Sequence, residues 1–215
     1  MPKLETIISL GKDFNRIAVA NRGVATVMSQ YSLKELIDYD VYQGSCHGLS
    51  VMWLAYKHAP AMKTDLFEEL LGSESSDAQR QKLLAFTNKA HEMQSAKRDK
   101  DESAGQQKKI KQMSFFGLNF VEAKLFGGGW GKGHTDLGKY ISKNQGYYLV
   151  SIPGHAMAAC SAVGSLAFYD PNIGEATFVD GSSMGSFFSQ YFKSPIMAAV
   201  YGVAGKVQVT ASRYV

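Results

Sequence analysis

A cysteine, a histidine and an aspartate in this chain have side chains that together can carry out nucleophilic catalysis. Cys46 lies in the first quarter of the sequence, and His155 and Asp170 lie close together in its last third. A thiolate attacks a carbonyl carbon, an imidazole takes up and returns the proton, and a carboxylate orients the imidazole. These residue types in this order predict acyl transfer through a covalent thioester.

The neighbourhood of Cys46 suits a reactive thiol. The residue follows the glycine-containing stretch Gln43–Ser45 and opens a predicted helix. The positive end of a helix dipole favours a thiolate and can lower a cysteine pKa to roughly 3.5–7.5. By position alone, however, a cysteine is more often a small buried apolar residue.

His155 and Asp170 are placed to meet across two neighbouring strands. His155 follows a predicted strand and the turn Pro153-Gly154, and Asp170 lies at the end of the second predicted strand after that turn. Antiparallel strands joined by a turn set such side chains next to each other, as the orientation of an imidazole requires. A lone histidine is otherwise a structural residue, and Asp170–Asn172 is otherwise a simple turn.

The order of cysteine, then a distant histidine, then a nearby acid is typical of papain-like hydrolases. Three blocks are similar to motifs of the YopT-type cysteine peptidase family, the YopT/AvrPphB-like members of the papain-like clan. Gly44–Ser50 resembles the family's nucleophile motif, and Gly154–Ala158 resembles its histidine motif. Phe168–Glu175 resembles its acid motif, an Asp-Pro-Asn followed by a glycine.

The resemblance implies an α+β papain-like fold, in which a helical part carries the cysteine and an antiparallel sheet carries the histidine and the acid. It implies that Cys46 is the nucleophile, that His155 is the base, and that Asp170 orients the histidine where papain has an asparagine. The backbone N–H of Cys46 and the side chain of Gln43 are the candidate oxyanion donors. Papain's glutamine lies six positions before its nucleophile, where this chain has Asp40. No cofactor is implied.

The resemblance also implies a biological setting. The chain would be a bacterial effector or toxin module that is secreted without a Sec signal and hydrolyses a peptide bond of a host protein in the host cytosol. A small GTPase and a kinase are the substrate classes that the family suggests. The first residues of the chain do not have the pattern of a Sec signal peptide, because Glu5 interrupts a short apolar run.

Three alternatives to proteolysis stay open at this point. The same triad supports glutamine deamidation, transglutamination or acyl transfer, which differ from proteolysis in their product. A binding module with an inactive site would have an unreactive Cys46. A basic module that binds a membrane surface or nucleic acid through the stretch 97–111 is the third alternative, although acidic residues interrupt that stretch and favour at most weak contact with an anionic membrane surface.

The composition sets broader limits. The chain has 215 residues, of which 45% are hydrophobic and 12% aromatic, so it can bury a core of its own. Its net charge of +4 is too small to indicate a nucleic-acid-binding protein. The two cysteines do not form a disulfide framework, and Cys160 is predicted to be structural. The histidines are too scattered to predict a metal site.

The predicted elements change character along the chain. Residues 1–40 are predicted to form a helix-rich lead-in and a candidate pro-segment, before a catalytic domain over 41–215. Helices are predicted over 32–38, 46–58, 62–96 and 183–193, and Thr135 or Asp136 is predicted to cap another helix. The stretch 97–112 is predicted to be a mobile loop or an exposed helix end. Strands are predicted over 147–152, 155–163, 165–169 and 176–179, with one or two more over 197–214.

Overall fold

The computed structural model describes residues 4–27, 46–59, 102–127, 132–162, 165–194 and 207–215, together with residues 85, 88–90, 92 and 201. The first half of the chain supplies most of the helices, and the second half supplies most of the strands. The elements are, in chain order, α1 (Leu4–Ala20), β1 (Gly23–Val27), α2 (Cys46–His58), α3 (Glu102–Phe115), β2 (Phe120–Phe126), α4 (Lys132–Lys143), β3 (Gly146–Ile152), β4 (His155–Ala162), β5 (Ser165–Asp170), β6 (Gly174–Phe178), α5 (Gly181–Tyr191) and β7 (Val209–Tyr214).

The strands form one antiparallel sheet in the order β1-β6-β5-β4-β3-β7-β2. Strands β3 to β6 are consecutive neighbours, as expected when short turns connect antiparallel strands. The predicted α+β fold, with helices and an antiparallel sheet, is confirmed. The first strand β1 and the last strand β7 join this central meander from distant parts of the chain.

Helices cover both faces of the sheet, and the alternation of side chains along β5 shows how. Phe168 belongs to an apolar cluster that includes residues of α1, α4 and α5. Its neighbour Tyr169 points to the opposite face and belongs to a second cluster with Trp53 of α2 and Met113 of α3. Successive residues of a strand face opposite sides of a sheet. Neighbouring apolar residues of one strand therefore contribute to two separate apolar clusters, one on each face.

Helix α5 is held at a defined position against the sheet and against α4. The Asp180 side chain accepts a hydrogen bond from the Ser183 backbone N–H at 2.7 Å and so caps the first turn. Gly138 and Gly185 let α4 and α5 approach closely, because a Cβ built on Gly138 would lie 2.4 Å from the Gly185 Cα. The predicted helix over 183–193 is confirmed, with bounds two residues earlier.

The predicted cap of α4 is wrong. The helix begins at Lys132, so Thr135 and Asp136 lie inside it. Its first turn is held by a tertiary contact, since a Cβ on Gly133 would lie 2.0 Å from the Gly127 backbone nitrogen. The pattern of capping residues carries no information about such a contact.

Other local predictions have mixed outcomes. Residues 102–112 form most of helix α3, so this part of the stretch 97–112 is neither a loop nor a helix end, and its described side chains at 107–112 are exposed or half-buried. A single strand, β7, is described in the tail. The helix predicted over 32–38 and most of the one over 62–96 lie outside the described residues. In the described part of the chain, no helix combines the length and the apolar character needed to cross a membrane.

The division at residue 40 stays a prediction, since that position lies outside the described ranges. Within the lead-in, β1 pairs with β6 at one edge of the sheet. Phe14 of α1 is buried and contacts the rings of Phe168, Phe187 and Tyr191. Residues 4–27 therefore contribute to the same core as the predicted catalytic domain.

Candidate active site

Three elements bring the predicted site residues to one end of the sheet. His155 is the first residue of β4, Asp170 is the last residue of β5, and Cys46 is the first residue of α2. The tight turn before β4 depends on Gly154, whose φ of 77° lies in the left-handed region that favours glycine. Because β4 and β5 run antiparallel, the start of one strand lies beside the end of the other.

His155 is hydrogen-bonded on both sides. Its Nε2 lies 2.9 Å from Asp170 Oδ1, and both side chains are almost completely buried. Its imidazole also hydrogen-bonds with the Cys46 side chain. Since Nε2 faces the carboxylate, Nδ1 is the ring nitrogen left for the sulfur. The three side chains therefore form a chain of hydrogen bonds from thiol to imidazole to carboxylate.

The electrostatics of the pair favour a charged imidazole. Burial by itself would lower the pKa of His155, but the Asp170 carboxylate and the Cys46 sulfur outweigh it and raise this pKa to about 9. Burial would likewise raise the pKa of Asp170, yet His155 and the hydrogen bonds that the carboxylate accepts hold it below its usual value. An imidazolium next to a thiol stabilises the thiolate, which is the form that attacks carbonyl carbons.

Two tyrosines and the turn after β5 complete the surroundings of the Asp170 carboxylate. Tyr191, the last residue of α5, donates to Oδ2 at 2.6 Å. Tyr201 places its hydroxyl 3.1 Å from both carboxylate oxygens. The backbone N–H of Asn172 donates to Oδ1 at 2.9 Å, and its side chain donates to the Tyr201 hydroxyl at 2.7 Å.

Tyr201 also packs on the imidazole itself. The rings of Tyr201 and His155 are stacked, with centroids 4.3 Å apart and an interplanar angle of 23°. A ring in this position restricts rotation of the imidazole and covers the pair from water, which strengthens the hydrogen bond to Asp170. Sequence reasoning missed both tyrosines: Tyr191 only marks the apolar face of a predicted helix, and Tyr201 has no local signal.

We expect Tyr191→Phe to weaken the pair specifically. The variant loses a hydrogen bond to a buried carboxylate, which is worth about 1.5–3 kcal/mol of stability. The aromatic ring keeps its contacts with Phe14, Phe168 and Phe187. With one donor fewer, the pKa of Asp170 rises. As the pH is lowered, the rate of Cys46 labelling by iodoacetamide should therefore begin to fall at a higher pH than in the wild type; this fall is the acid limb of the labelling profile.

Tyr148→Phe is the matched control for this variant. Tyr148 is buried in the same apolar cluster, but its hydroxyl donates to the backbone oxygen of Asn144, away from Asp170. Urea unfolding should show a loss of stability in both variants. An acid limb that shifts equally in both variants would contradict the specific role of Tyr191.

The remaining predicted residues have separate outcomes. Gln43 lies outside the described residues, so its oxyanion role stays a prediction. His47 is buried, and its Nε2 lies 2.9 Å from Gln112 Oε1, which agrees with a packing role. Cys160 is buried on β4, and its burial raises its pKa to about 12, so it is an unreactive thiol. Within the described ranges, no group of three or more His, Cys, Asp or Glu residues could hold a metal ion.

Comparisons with known proteins give the family and the fold that this chain shares. The model of the Peptidase C58 family, described as a Yersinia/Haemophilus virulence surface antigen, matches residues 17–213. The Pseudomonas avirulence protein AvrPphB is structurally similar, with a TM-score of 0.57 and 15% identity over 85% of this chain and 99% of that one. PatoxP, a cysteine protease-like domain of the Photorhabdus asymbiotica toxin PaTox, is similar with a TM-score of 0.51 and 12% identity. That match covers 96% of this chain and 60% of the PatoxP chain, and no curated protein sequence matches.

Proposed function

The chain belongs to the Peptidase C58 family of YopT-type cysteine peptidases, whose model matches nearly its whole length, and from this we propose that it is a thiol protease that hydrolyses a peptide bond of a specific protein. The single observation that supports this activity best is the buried His155–Asp170 pair with the Cys46 thiol on its other side. A structural histidine needs no thiol partner at a helix N-terminus. A peptidase of this clan needs that arrangement.

The proposed reaction uses each group in turn. The Cys46 sulfur attacks the scissile carbonyl carbon, and the oxyanion accepts hydrogen bonds from the Cys46 backbone N–H and the Gln43 side chain. The His155 imidazolium gives its proton to the leaving amine as the C–N bond breaks, which leaves a thioester on Cys46. A water molecule then loses a proton to His155 and attacks the thioester, and the acid product leaves as the thiolate returns. Asp170 holds the imidazole in the correct tautomer throughout.

The proposed biological role is that of a bacterial effector or toxin module. Its support comes from similar proteins: the family description is that of a virulence surface antigen, and the two similar structures are an avirulence protein and a domain of a toxin. We infer secretion without a Sec signal and action on a protein in the host cytosol. A small GTPase and a kinase are the substrate classes to test first. The basic stretch 97–111 adds a candidate weak contact with an anionic membrane surface.

Thiol labelling tests whether Cys46 is activated. Wild-type protein and His155→Ala are treated with a limiting amount of iodoacetamide near pH 6, and the labelled cysteine is identified by mass spectrometry. We expect rapid labelling of wild-type Cys46 and a rate at least about tenfold lower in His155→Ala, because the thiolate fraction falls tenfold for each unit that the thiol pKa rises. Cys160 is the internal reference for an unactivated thiol.

Analysis of the products then identifies the reaction. Host lysates incubated with wild-type protein, but not with an inactive variant, should contain new protein N-termini. A mass shift of about one unit on intact target proteins would instead indicate deamidation. Equal and slow labelling of Cys46 and Cys160 that does not depend on His155 would contradict a working triad.

A further inference from the structure

A buried glutamate outside the proposed triad connects the cysteine-bearing helix to the sheet. Glu175 of β6 accepts a hydrogen bond from Trp53 Nε1 on Oε2 at 2.8 Å and one from Lys57 Nζ on Oε1 at 2.7 Å. Both donors belong to α2, the helix that begins at Cys46. Glu175 and Trp53 are buried, whereas the Lys57 side chain is 21% exposed to solvent.

Burial of this carboxylate has to be offset by its partners. A charged group loses several kcal/mol of hydration in a protein interior, and an apolar residue of similar volume is often equally good for stability. The two donors each satisfy one oxygen of Glu175, and the ammonium of Lys57 supplies the opposite charge. Because stability alone does not favour a buried carboxylate at this place, Glu175 is a candidate for a role in positioning α2.

The two donors fix the helix in two directions. Cys46, Trp53 and Lys57 lie on one face of α2, because they are about two turns and then about one turn apart at 3.6 residues per turn. Trp53, which donates through its Nε1, therefore lies roughly 10 Å along the helix axis from Cys46. Rotation of α2 about its axis, or sliding along it, would change the distances from both donors to Glu175.

The same hairpin also carries Asp170. In the register of β5 and β6, Glu175 lies opposite Tyr169, and Gly174 lies opposite Asp170. The ring of Tyr169 stacks on that of Trp53, with centroids 5.6 Å apart and an interplanar angle of 16°. The hairpin that holds the acid of the proposed triad thus binds the helix of the nucleophile through a hydrogen bond, an ion pair and a ring contact.

We propose that Glu175 is a positioning residue that, through Trp53 and Lys57, sets the distance between the Cys46 thiol and the His155 imidazole. This inference rests on the proposed function, since it concerns the same thiol. Glu175 touches no reacting atom and acts only by holding α2 against the β5–β6 hairpin. Displacement of a reacting group by about 1 Å can cost about 100-fold in rate, so small movements of the helix are enough to matter.

The test compares two conservative variants with a core control. Trp53→Phe removes the indole N–H but keeps an aromatic ring against Tyr169, and Glu175→Gln keeps the volume but loses one of the two acceptor oxygens. Met113→Ala is the control, because Met113 is fully buried in the same cluster without a bond to Glu175. Folding of each variant is checked by far-ultraviolet circular dichroism and by urea unfolding, because Trp53 itself contributes to the near-ultraviolet spectrum. The rate of Cys46 labelling by iodoacetamide is then measured from pH 4 to pH 9.

For folded Trp53→Phe and Glu175→Gln, we expect labelling of Cys46 near pH 6 to slow at least about tenfold and its pH midpoint to rise by about one unit, since thiolate and imidazolium stabilise each other less as they separate. Met113→Ala should keep the labelling rate within about twofold of wild type and the pH midpoint within about 0.3 units, even where urea unfolding shows an equal loss of stability. If Glu175→Gln does not fold, Trp53→Phe decides alone.

Three results would overturn the inference, and they differ in what they say about the protease. Unchanged labelling in the folded variants, or an equal decrease in Met113→Ala, would show that Glu175 only stabilises the fold, while the activated wild-type thiol would leave the proposed function intact. A wild-type Cys46 that labels no faster than Cys160 would instead contradict the proposed function, and the positioning role with it.

Discussion

Replacement of Cys46 by alanine is expected to abolish peptide-bond cleavage while the fold stays intact. The variant lacks the only proposed nucleophile, and loss of a nucleophile from a catalytic unit lowers kcat by about 10⁴–10⁶-fold. Cys46 is almost buried at the first residue of α2, and alanine has a similar volume and a high helix propensity. The measurement is kcat/KM on a peptide that spans the cleavage site found in the host lysate.

Cys160→Ala is the matched control for this variant, because it removes the other thiol of the chain. Cys160 is buried on β4 among residues of the second apolar cluster and is unreactive at neutral pH. Its replacement should leave kcat/KM within a few-fold of wild type and reduce stability by about 1 kcal/mol. Activity that survives in Cys46→Ala but disappears in a folded Cys160→Ala would reverse the roles assigned to the two cysteines.

Asp170→Ala is expected to have the second largest effect, on both activity and stability. It leaves His155 buried without its charge partner and removes the acceptor for the hydroxyls of Tyr191 and Tyr201. Breaking a buried charge pair costs about 3–5 kcal/mol of stability. Loss of the orienting acid lowers kcat by about 10³–10⁴-fold, because the imidazole then populates the wrong tautomer and rotamer.

Asp170→Asn separates orientation from charge. Its amide oxygen can still accept a hydrogen bond from His155, so at least about tenfold more activity should remain than in Asp170→Ala, equivalent to about 1.4 kcal/mol of barrier. Kinetics and urea unfolding of both variants, measured side by side, check this order. An Asn variant as inactive as the Ala variant, with the fold intact, would show that charge rather than orientation is the role of Asp170.

The pH dependence of stability should distinguish the same variants. The pKa of His155 is about 9 in the folded protein, above the usual histidine value of about 6.5, so the stability from its charged form is fully present below pH 6.5 and is lost as the pH rises through 9. The carboxylate of Asp170 is the main group that raises this pKa. The free energy of unfolding should therefore fall between pH 6.5 and 9 in the wild type, and much less in Asp170→Asn.

Much of the architecture is encoded locally and could be predicted from the sequence. The apolar positions of α2 recur at helical spacing, and strand-forming residues separated by turn residues predict β3, β4 and β5. The cap of α4 is the counterexample, because the helix begins at Lys132, where Gly133 packs against the Gly127 backbone, and the predicted capping residues lie inside it. For the candidate site, residue types and the order of three motifs were enough to name Cys46, His155 and Asp170.

The sequence by itself determined the fold class and named three candidate catalytic side chains, because period, turn residues and motif order are properties of neighbouring positions. Only the tertiary structure decided how those side chains are held. Tyr191, Tyr201 and Glu175 reach their partners from distant parts of the chain or across the sheet, and strand register and helix packing set those contacts. The placement of β1 beside β6 has the same origin. Pairings between distant segments depend on the shape of the whole core, and no short stretch of sequence records that shape.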